Sequence, residues 1–331
     1  MIASVGETSN NNAAKLAEGS GDSDRARLIP VGGGKGGVGK SFIVANLAAA
    51  LARAGQRVVA VDGDLEGANL HTFVGIPKPR ISLADFVAQR EEDLGKLIIE
   101  TPTPNLQLIA ATDGNLSTPQ PSHSRRLRLM RALRNLTVDF VFIDLGAGTH
   151  AAVMDYFMIG ENGVVVVTPE PTSVENAYAF IRAAFYRRLR LAMASHDMRK
   201  IVTLAMDQRN ERGIRTPLDL LREIQTLDPS EGGRFVDTMR AFRPRLVIND
   251  VRTADDIKLG FSIRTVCRQY FGIETEYLGY VNHDRAARHS VTSRRPLIEA
   301  YPRSDAAIYL SRIALKLLGD GPTRAISGSS A

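Results

Sequence analysis

Residues 34–41 read GKGGVGKS, and the order of residue types in this octet defines a chemistry. Gly34, a four-residue interval, then Gly39, Lys40 and Ser41 satisfy the pattern G-x-x-x-x-G-K-[ST]. In such a loop the backbone N–H groups cradle phosphates, the lysine reaches the β and γ oxygens, and the hydroxyl coordinates Mg²⁺. The octet carries a second lysine, Lys35, directly after the first glycine, where a phosphate loop has no need of a charge. Lys35 therefore points to a particular kind of ATPase rather than to nucleotide binding alone.

Carboxylates for a metal come from two later segments. Residues 138–148, VDFVFIDLGAG, form an apolar run that delivers Asp144 at its carboxyl end, followed by a glycine-bearing turn. A nucleotide-hydrolysing site keeps here the acid that holds Mg²⁺, usually through water, and a loop that senses the γ-phosphate. The alternative role for Asp144 is a cap on the following helix. Residues 56–64, QRVVAVDGD, make another apolar run ending in Asp62 and Asp64. Two acids so placed are costly to desolvate unless charge is wanted there. A dinucleotide fold is the rival reading, because Gly32, Gly34 and Gly37 also spell G-x-G-x-x-G and Asp62 ends the next strand. That fold binds a pyrophosphate without the lysine and hydroxyl of Lys40 and Ser41, and the Asp144 strand decides against it.

These groups need strand, loop and helix in fixed order. RLIPV (27–31) is a short apolar run ending at the glycines, and residues 41–54, SFIVANLAAALARA, have helical periodicity closed by Gly55. The helix start adds its positive dipole end and free N–H groups to the anion site. Strands are expected near 28–31, 57–62, 106–110, 138–143, 163–168, 201–206, 245–249 and 276–281, with helices between most of them. Thr172 and Glu175 are expected to form a capping box that opens a helix at Ser173. The alternation predicts an α/β class: a doubly wound, mostly parallel sheet of about 7–8 strands flanked by helices, with the ligand outside the strands' carboxyl ends. Residues 27–319 are expected as one ATPase domain, with a disordered leader at 1–26 and a flexible tail at 320–331. Within it, residues 182–244 exceed what this plan requires, and are expected to be an inserted helical subregion that forms a partner surface or pads the sheet.

Together GKGGVGKS, VDGDLEGANL (61–70) and FIDLGAG (142–148) resemble the MinD/ParA group of P-loop ATPases with the deviant, two-lysine loop. TPEPTSVENAY (168–178) and YLGYVNHDRAARHSVTSRRPLI (277–298) are most similar to its FlhG branch, the MinD-like regulators of flagellar number and placement. The resemblance implies that Lys35 crosses an ATP-sandwiched homodimer to touch the partner's nucleotide. It implies that Lys40 holds the β/γ-phosphates, that Ser41 coordinates Mg²⁺ directly, and that Asp62 and Asp144 hold it through water. Asp64 matches the carboxylate that orients the attacking water, and Asn249 in LVIND matches an asparagine that reads the adenine edge. The implied nucleotide-binding set is Gly34, Lys35, Gly36, Gly37, Val38, Gly39, Lys40, Ser41, Phe42 and Asn249, with Lys35, Lys40 and Asp64 catalytic. Such chemistry is mostly positioning and charge stabilisation.

The implied function is a dimerising switch that binds ATP, hydrolyses it slowly, and controls the placement or number of a cellular structure such as the flagellum. A ParA-like partition ATPase that binds DNA without sequence preference is the alternative, and a metabolic P-loop enzyme with a small co-substrate a further one. NNAAKLA (11–17) partly resembles the D-Q-A-x-x-L-R motif with which FlhG-type proteins stimulate the GTPase FlhF, so an FlhF-like GTPase or another protein is an expected partner.

Composition narrows the setting. The chain has 331 residues, 44% hydrophobic and 24% charged, values usual for a folded soluble protein. No apolar run approaches the ~18 residues needed to span a bilayer, and the polar start lacks a signal peptide's apolar region. The expected location is the cytoplasm, with recruitment to a pole or the membrane through a partner. Direct membrane anchoring is not expected: AAIYLSRIALKLL (306–318) fits a last core helix, and the tail beyond it lacks the basic amphipathic helix that docks MinD and FlhG relatives on lipid. The single cysteine, Cys267, excludes an internal disulfide framework and the C-x-x-C pairs of cluster-carrying relatives; within FSIRTVCRQYF it reads as a buried thiol. The six histidines show no zinc spacing, so Mg²⁺ is the only metal expected, with ATP as substrate. Net charge is +6, and arginines gather in HSRRLRLMRALRNL (123–136) and FYRRLRL (185–191). Nucleic acid is thus a partner to consider, though solvated helix faces are the commoner meaning of such runs.

Overall fold

The computed structural model describes residues 26–65, 67–111, 121–160, 162–207 and 209–319. The leader with its NNAAKLA segment and the tail from residue 320 lie outside the described residues. In chain order the elements are β1 (Arg27–Gly32), α1 (Lys40–Arg53), β2 (Val58–Asp62), α2 (Leu70–Phe73), α3 (Leu83–Val87), β3 (Ile99–Glu100), β4 (Leu106–Ile109), α4 (His123–Arg134), β5 (Phe140–Asp144), α5 (Ala151–Phe157) and β6 (Val164–Val167). There follow α6 (Pro171–Ala192), α7 (His196–Ala205), α8 (Pro217–Leu227), α9 (Pro229–Ala241), β7 (Arg245–Val251), α10 (Ala254–Val266), β8 (Glu276–Asn282), α11 (Arg285–Thr292), α12 (Leu297–Ala300) and α13 (Asp305–Gly319).

The eight strands form one sheet in the order β3-β4-β2-β5-β1-β6-β7-β8, parallel except for β3 at one edge. Both faces are buried, so the central strands read as continuous apolar runs whose alternate residues serve opposite cores. Phe140 and Phe142 join the core under α1 and α13, whereas Val141 and Ile143 join the core under α5 and α6. This is the doubly wound architecture expected, and β1, with the phosphate loop at its end, lies between β5 and β6 near the middle.

Three expectations are corrected. Residues 201–206 are not a strand: IVTLA closes α7, with Met198, Ile201, Val202 and Ala205 buried at helical spacing. The β-branched pair Ile201 and Val202 suggested a strand, but the 3-4-7 spacing of the buried positions fixes a helix. The eighth strand is instead the two-residue β3, too short to leave a pattern. Helix α6 opens at Pro171 with Glu170 as its extended N-cap residue, not at Ser173 with a Thr172 box. Proline fits the first helical position because its missing N–H would go unused there. Finally, residue 182 does not open a separate element: α6 is one helix through Ala192, and α7, α8 and α9 follow it up to β7.

Helices α7, α8 and α9 continue the core. Phe235 of α9 meets Phe185 of α6 with ring centroids 6.0 Å apart, and Phe242 lies at the same distance from Phe185. Carboxylates fix the connections: buried Glu231 accepts from the N–H groups of Ala194 and Ser195, and Thr216 with Asp219 forms a reciprocal capping box on α8.

The arginine runs on α4 and α6 are largely engaged inside the fold. Asp155 of α5, buried, accepts from Arg126 Nε at 3.0 Å and Arg187 Nε at 2.9 Å. Arg128 lies over the Phe86 ring, Arg188 over Phe242, and Arg134 donates to the Ile159 carbonyl. One buried carboxylate thereby ties three helices together. No described helix is long and apolar enough to cross a membrane, and the Cys267 thiol is buried, which pushes its pKa up to about 12.

Candidate active site

The glycine loop leaves β1 at Gly32 and enters α1 at Lys40, and its shape depends on missing side chains. Gly39 has φ +92°, and a Cβ there would stand 2.3 Å from Asn249 Nδ2; one on Gly34 would stand 2.1 Å from the Asn176 carbonyl oxygen. No side chain caps the start of α1, so its first N–H groups face the loop interior, where an anion is favoured. Lys40 is buried and folds back over the loop, its Nζ 3.5 Å from the Lys35 carbonyl. Burial lowers its pKa, while Asp144 and Asp64 act in the opposite sense.

Strand register supplies the acids. Asp62 and Asp144 are direct partners at the ends of β2 and β5, and Val31 of β1 pairs with Asp144 on the other side. Both carboxylates are buried. Asp62 accepts from the N–H groups of Asp64 at 3.2 Å and Leu70 at 3.1 Å. Asp144 is bonded by the Ser41 hydroxyl, yet its Oδ1 is buried with no hydrogen-bond partner. Burial pushes Asp144 up to about 7, against the Ser41 bond and the Lys40 charge, and burial followed by Asp144 holds Asp62 well above the usual carboxylate range. An orphaned carboxylate oxygen, a second buried acid, a hydroxyl and a buried ammonium fit a metal-bound polyphosphate, which would satisfy all four.

Asp64 stands on the loop after β2. Its Oδ1 accepts from Gly67 N–H at 2.9 Å, and Gly146 of the loop after β5 backs onto the same carboxylate. Between these loops lies a cavity of about 330 Å³ lined by Asp64, Leu65, Ala147, His150, Val153 and Tyr156. Room for water and a carboxylate to direct it therefore adjoin the acids of β2 and β5.

Lys40, Ser41, Asp62, Asp64 and Asp144 are thus brought together, but Lys35 is not one of this group. Its Nζ is held by Glu170 Oε2 at 2.6 Å and Thr172 Oγ1 at 3.2 Å, at the start of α6. Gly36 and Gly37 complete the loop, and half-buried Phe42 packs against the core under α1. Asn249 donates from Nδ2 to the Val38 carbonyl at 2.9 Å, bolting the end of β7 to the loop.

Sequence reasoning passed over Glu170 and a cluster at the carboxyl ends of β7 and β8. There Asp250, with φ +60°, binds His283 Nδ1 at 2.5 Å, and Arg252 lies 3.0 Å from the same nitrogen. A recess of about 570 Å³ opens beside Arg252, Thr253, Asn282, His283 and Asp305. The available signal was polar residues directly after two apolar strands, IND and VNHD.

A glycine loop between the central strand and its helix, with acids on the two strands next along the sheet, defines a P-loop nucleoside triphosphatase. Residues 29–297 match the CobQ/CobB/MinD/ParA nucleotide binding domain, and the chain belongs to this family, as an ATPase of the MinD/ParA type. It is 27% identical over 293 residues to the antiactivator FleN of Pseudomonas aeruginosa, covering 88% of this chain and 86% of that one. It is 32% identical over 158 residues to the flagellum site-determining protein YlxH of Helicobacter pylori, covering 47% and 53%. The septum site-determining protein MinD of Pyrococcus horikoshii, solved with Mg-ADP, superposes with TM-score 0.61 at 20% identity, covering 88% of this chain and 96% of that one.

Proposed function

We propose that this chain is an ATP-driven homodimeric switch of the FlhG type, acting in the number or placement of the flagellum, a reading supported by its similarity to the flagellum site-determining protein YlxH and to the antiactivator FleN. The supporting observation is the division within one loop: Lys40 lies buried among the charges of Asp144 and Asp64, whereas Lys35 is held apart by Glu170. Lys40 neutralises the β/γ oxygens, Ser41 would ligate the cation, and Asp62 and Asp144 would hold its waters. Mg²⁺, when bound, neutralises phosphate charge and polarises the γ-phosphoryl group. Asp64 orients the water for in-line attack on the γ-phosphorus; the bond to the β–γ bridging oxygen breaks, ADP leaves with that oxygen, and the water's proton passes to the released phosphate. Asn249 positions the base side of the nucleotide, and Lys35 leaves Glu170 to serve the partner's ATP. The chain acts in the cytoplasm and reaches its target through a protein partner, an FlhF-like GTPase among the candidates.

Asp64→Ala is the direct test. The variant should bind Mg-ATP, fail to hydrolyse it and accumulate as a dimer, a trap for capturing the partner by pull-down. A variant that stays monomeric with ATP bound, beside a wild-type protein that neither dimerises nor turns over, would overturn the switch reading.

A further inference from the structure

Tyr156 carries a hydroxyl for which neither the fold nor the nucleotide site has a use. The residue stands on α5 and is 5% exposed, and its hydroxyl oxygen has no hydrogen-bond partner among the described residues. Burial pushes the phenol up to about 12, so the group stays protonated, able to donate and to accept. Its neighbour fixes its place: Asp155 accepts from Arg126 and Arg187, which ties α5 to α4 and α6. A buried hydroxyl with nothing to bond is a cost, and phenylalanine would bury the same ring without it.

The side chain lines the 330 Å³ cavity that Asp64 also lines. Among the described residues the polar side chains around it are Asp64, His150 and Tyr156, and the others are aliphatic or glycine. No lysine or arginine stands among them, so an anion there would meet the Asp64 carboxylate uncompensated. Water suits the set: it donates to a carboxylate, exchanges bonds with a phenol, and is held where two or more polar partners and enough room are present. We propose that Tyr156 is a positioning residue for hydrolysis, its hydroxyl anchoring a chain of waters that crosses this cavity to Asp64 and keeps the attacking water ordered. The inference rests on Asp64 as the carboxylate that orients that water.

The test is phosphate release by the full chain over a range of Mg-ATP concentrations, with the melting temperature of each variant measured beside it. Tyr156→Phe should lower kcat about five- to tenfold, the rate equivalent of one hydrogen bond. KM should stay as in the wild type, and the melting temperature should equal or exceed the wild-type value, because the lost hydroxyl bonds nothing in the protein. Ala152→Leu, which fills the cavity from a half-buried position and leaves the hydroxyl in place, should lower kcat in the same way. Wild-type kcat in either variant, or a loss in Tyr156→Phe that comes with a raised KM or a lowered melting temperature, would overturn the proposal. Asp64→Ala separates it from the reading beneath it. An inactive Asp64→Ala beside a fully active Tyr156→Phe removes the water chain alone, whereas an Asp64→Ala that hydrolyses ATP normally removes both.

Discussion

Lys35 Nζ lies 2.6 Å from Glu170 Oε2, so the extra cation of the phosphate loop is held by the helix start of its own chain. In the proposed dimer that ion pair must open before Lys35 reaches the partner's nucleotide. Glu170→Gln should therefore favour the ATP dimer. The two side chains are 39% and 60% exposed, and an exposed pair contributes ~0–1 kcal/mol. The concentration for half-dimerisation, read by analytical ultracentrifugation, should fall by up to about fivefold per protomer. No change, or weaker dimerisation, would show that the pair does not oppose assembly.

Gly39→Ala should abolish ATP binding. The new methyl would overlap Asn249 Nδ2, and φ +92° adds about 1–2 kcal/mol of backbone strain for any residue with a Cβ. Asn249→Ala should keep the fold but weaken nucleotide affinity, since it frees the Val38 carbonyl from its 2.9 Å bond. Titration with a fluorescent ATP analogue would rank them.

Burial raises the pKa of Asp144 to about 7 from an ordinary 3.8. Folding then favours its protonated form, so this group's contribution is fully present below about pH 4 and is lost as pH rises through 7. The nucleotide-free, Mg²⁺-free protein should lose about 1.4 kcal/mol per pH unit from this group inside that window. Asp62, raised in the same direction, adds to the trend. Asp144→Asn should flatten the profile, and Mg-ATP should flatten it in the wild type; melting at pH 5, 6, 7 and 8 reads both.

Asp155→Ala should be among the most destabilising single changes outside the apolar core. It leaves Arg126 and Arg187 without their shared buried counter-charge, a defect of roughly 3–5 kcal/mol. Urea unfolding should show it as a lowered midpoint. A loss below 1 kcal/mol would mean that both guanidinium groups find water or other carbonyls.

Much of this molecule is legible in the chain because its central strands and glycine loop obey local rules. VVAVD and FVFID each alternate between two cores and end on an acid, so the strand, its direction and its carboxylate are read together. Elsewhere contacts distant in sequence decide. Ile201 and Val202 look like strand residues until α6 and α8, packed against them, supply the core that buries their helix. Thr172 looks like a cap until Pro171 takes the first helical position and leaves its hydroxyl to Lys35. The arginines of α4 and α6 look like a solvent face until Asp155, Phe86 and Phe242 claim them. Pairings across 135 residues, such as Lys35 with Glu170, leave no periodic signal.

The central claim is that one loop carries a lysine for its own ATP and another for its partner's. Lys35→Ala, examined by light scattering with saturating Mg-ATP alongside phosphate release, tests it most directly. The account predicts a variant that binds ATP with near wild-type affinity, stays monomeric and does not turn over. Dimerisation together with hydrolysis at the wild-type rate would contradict it.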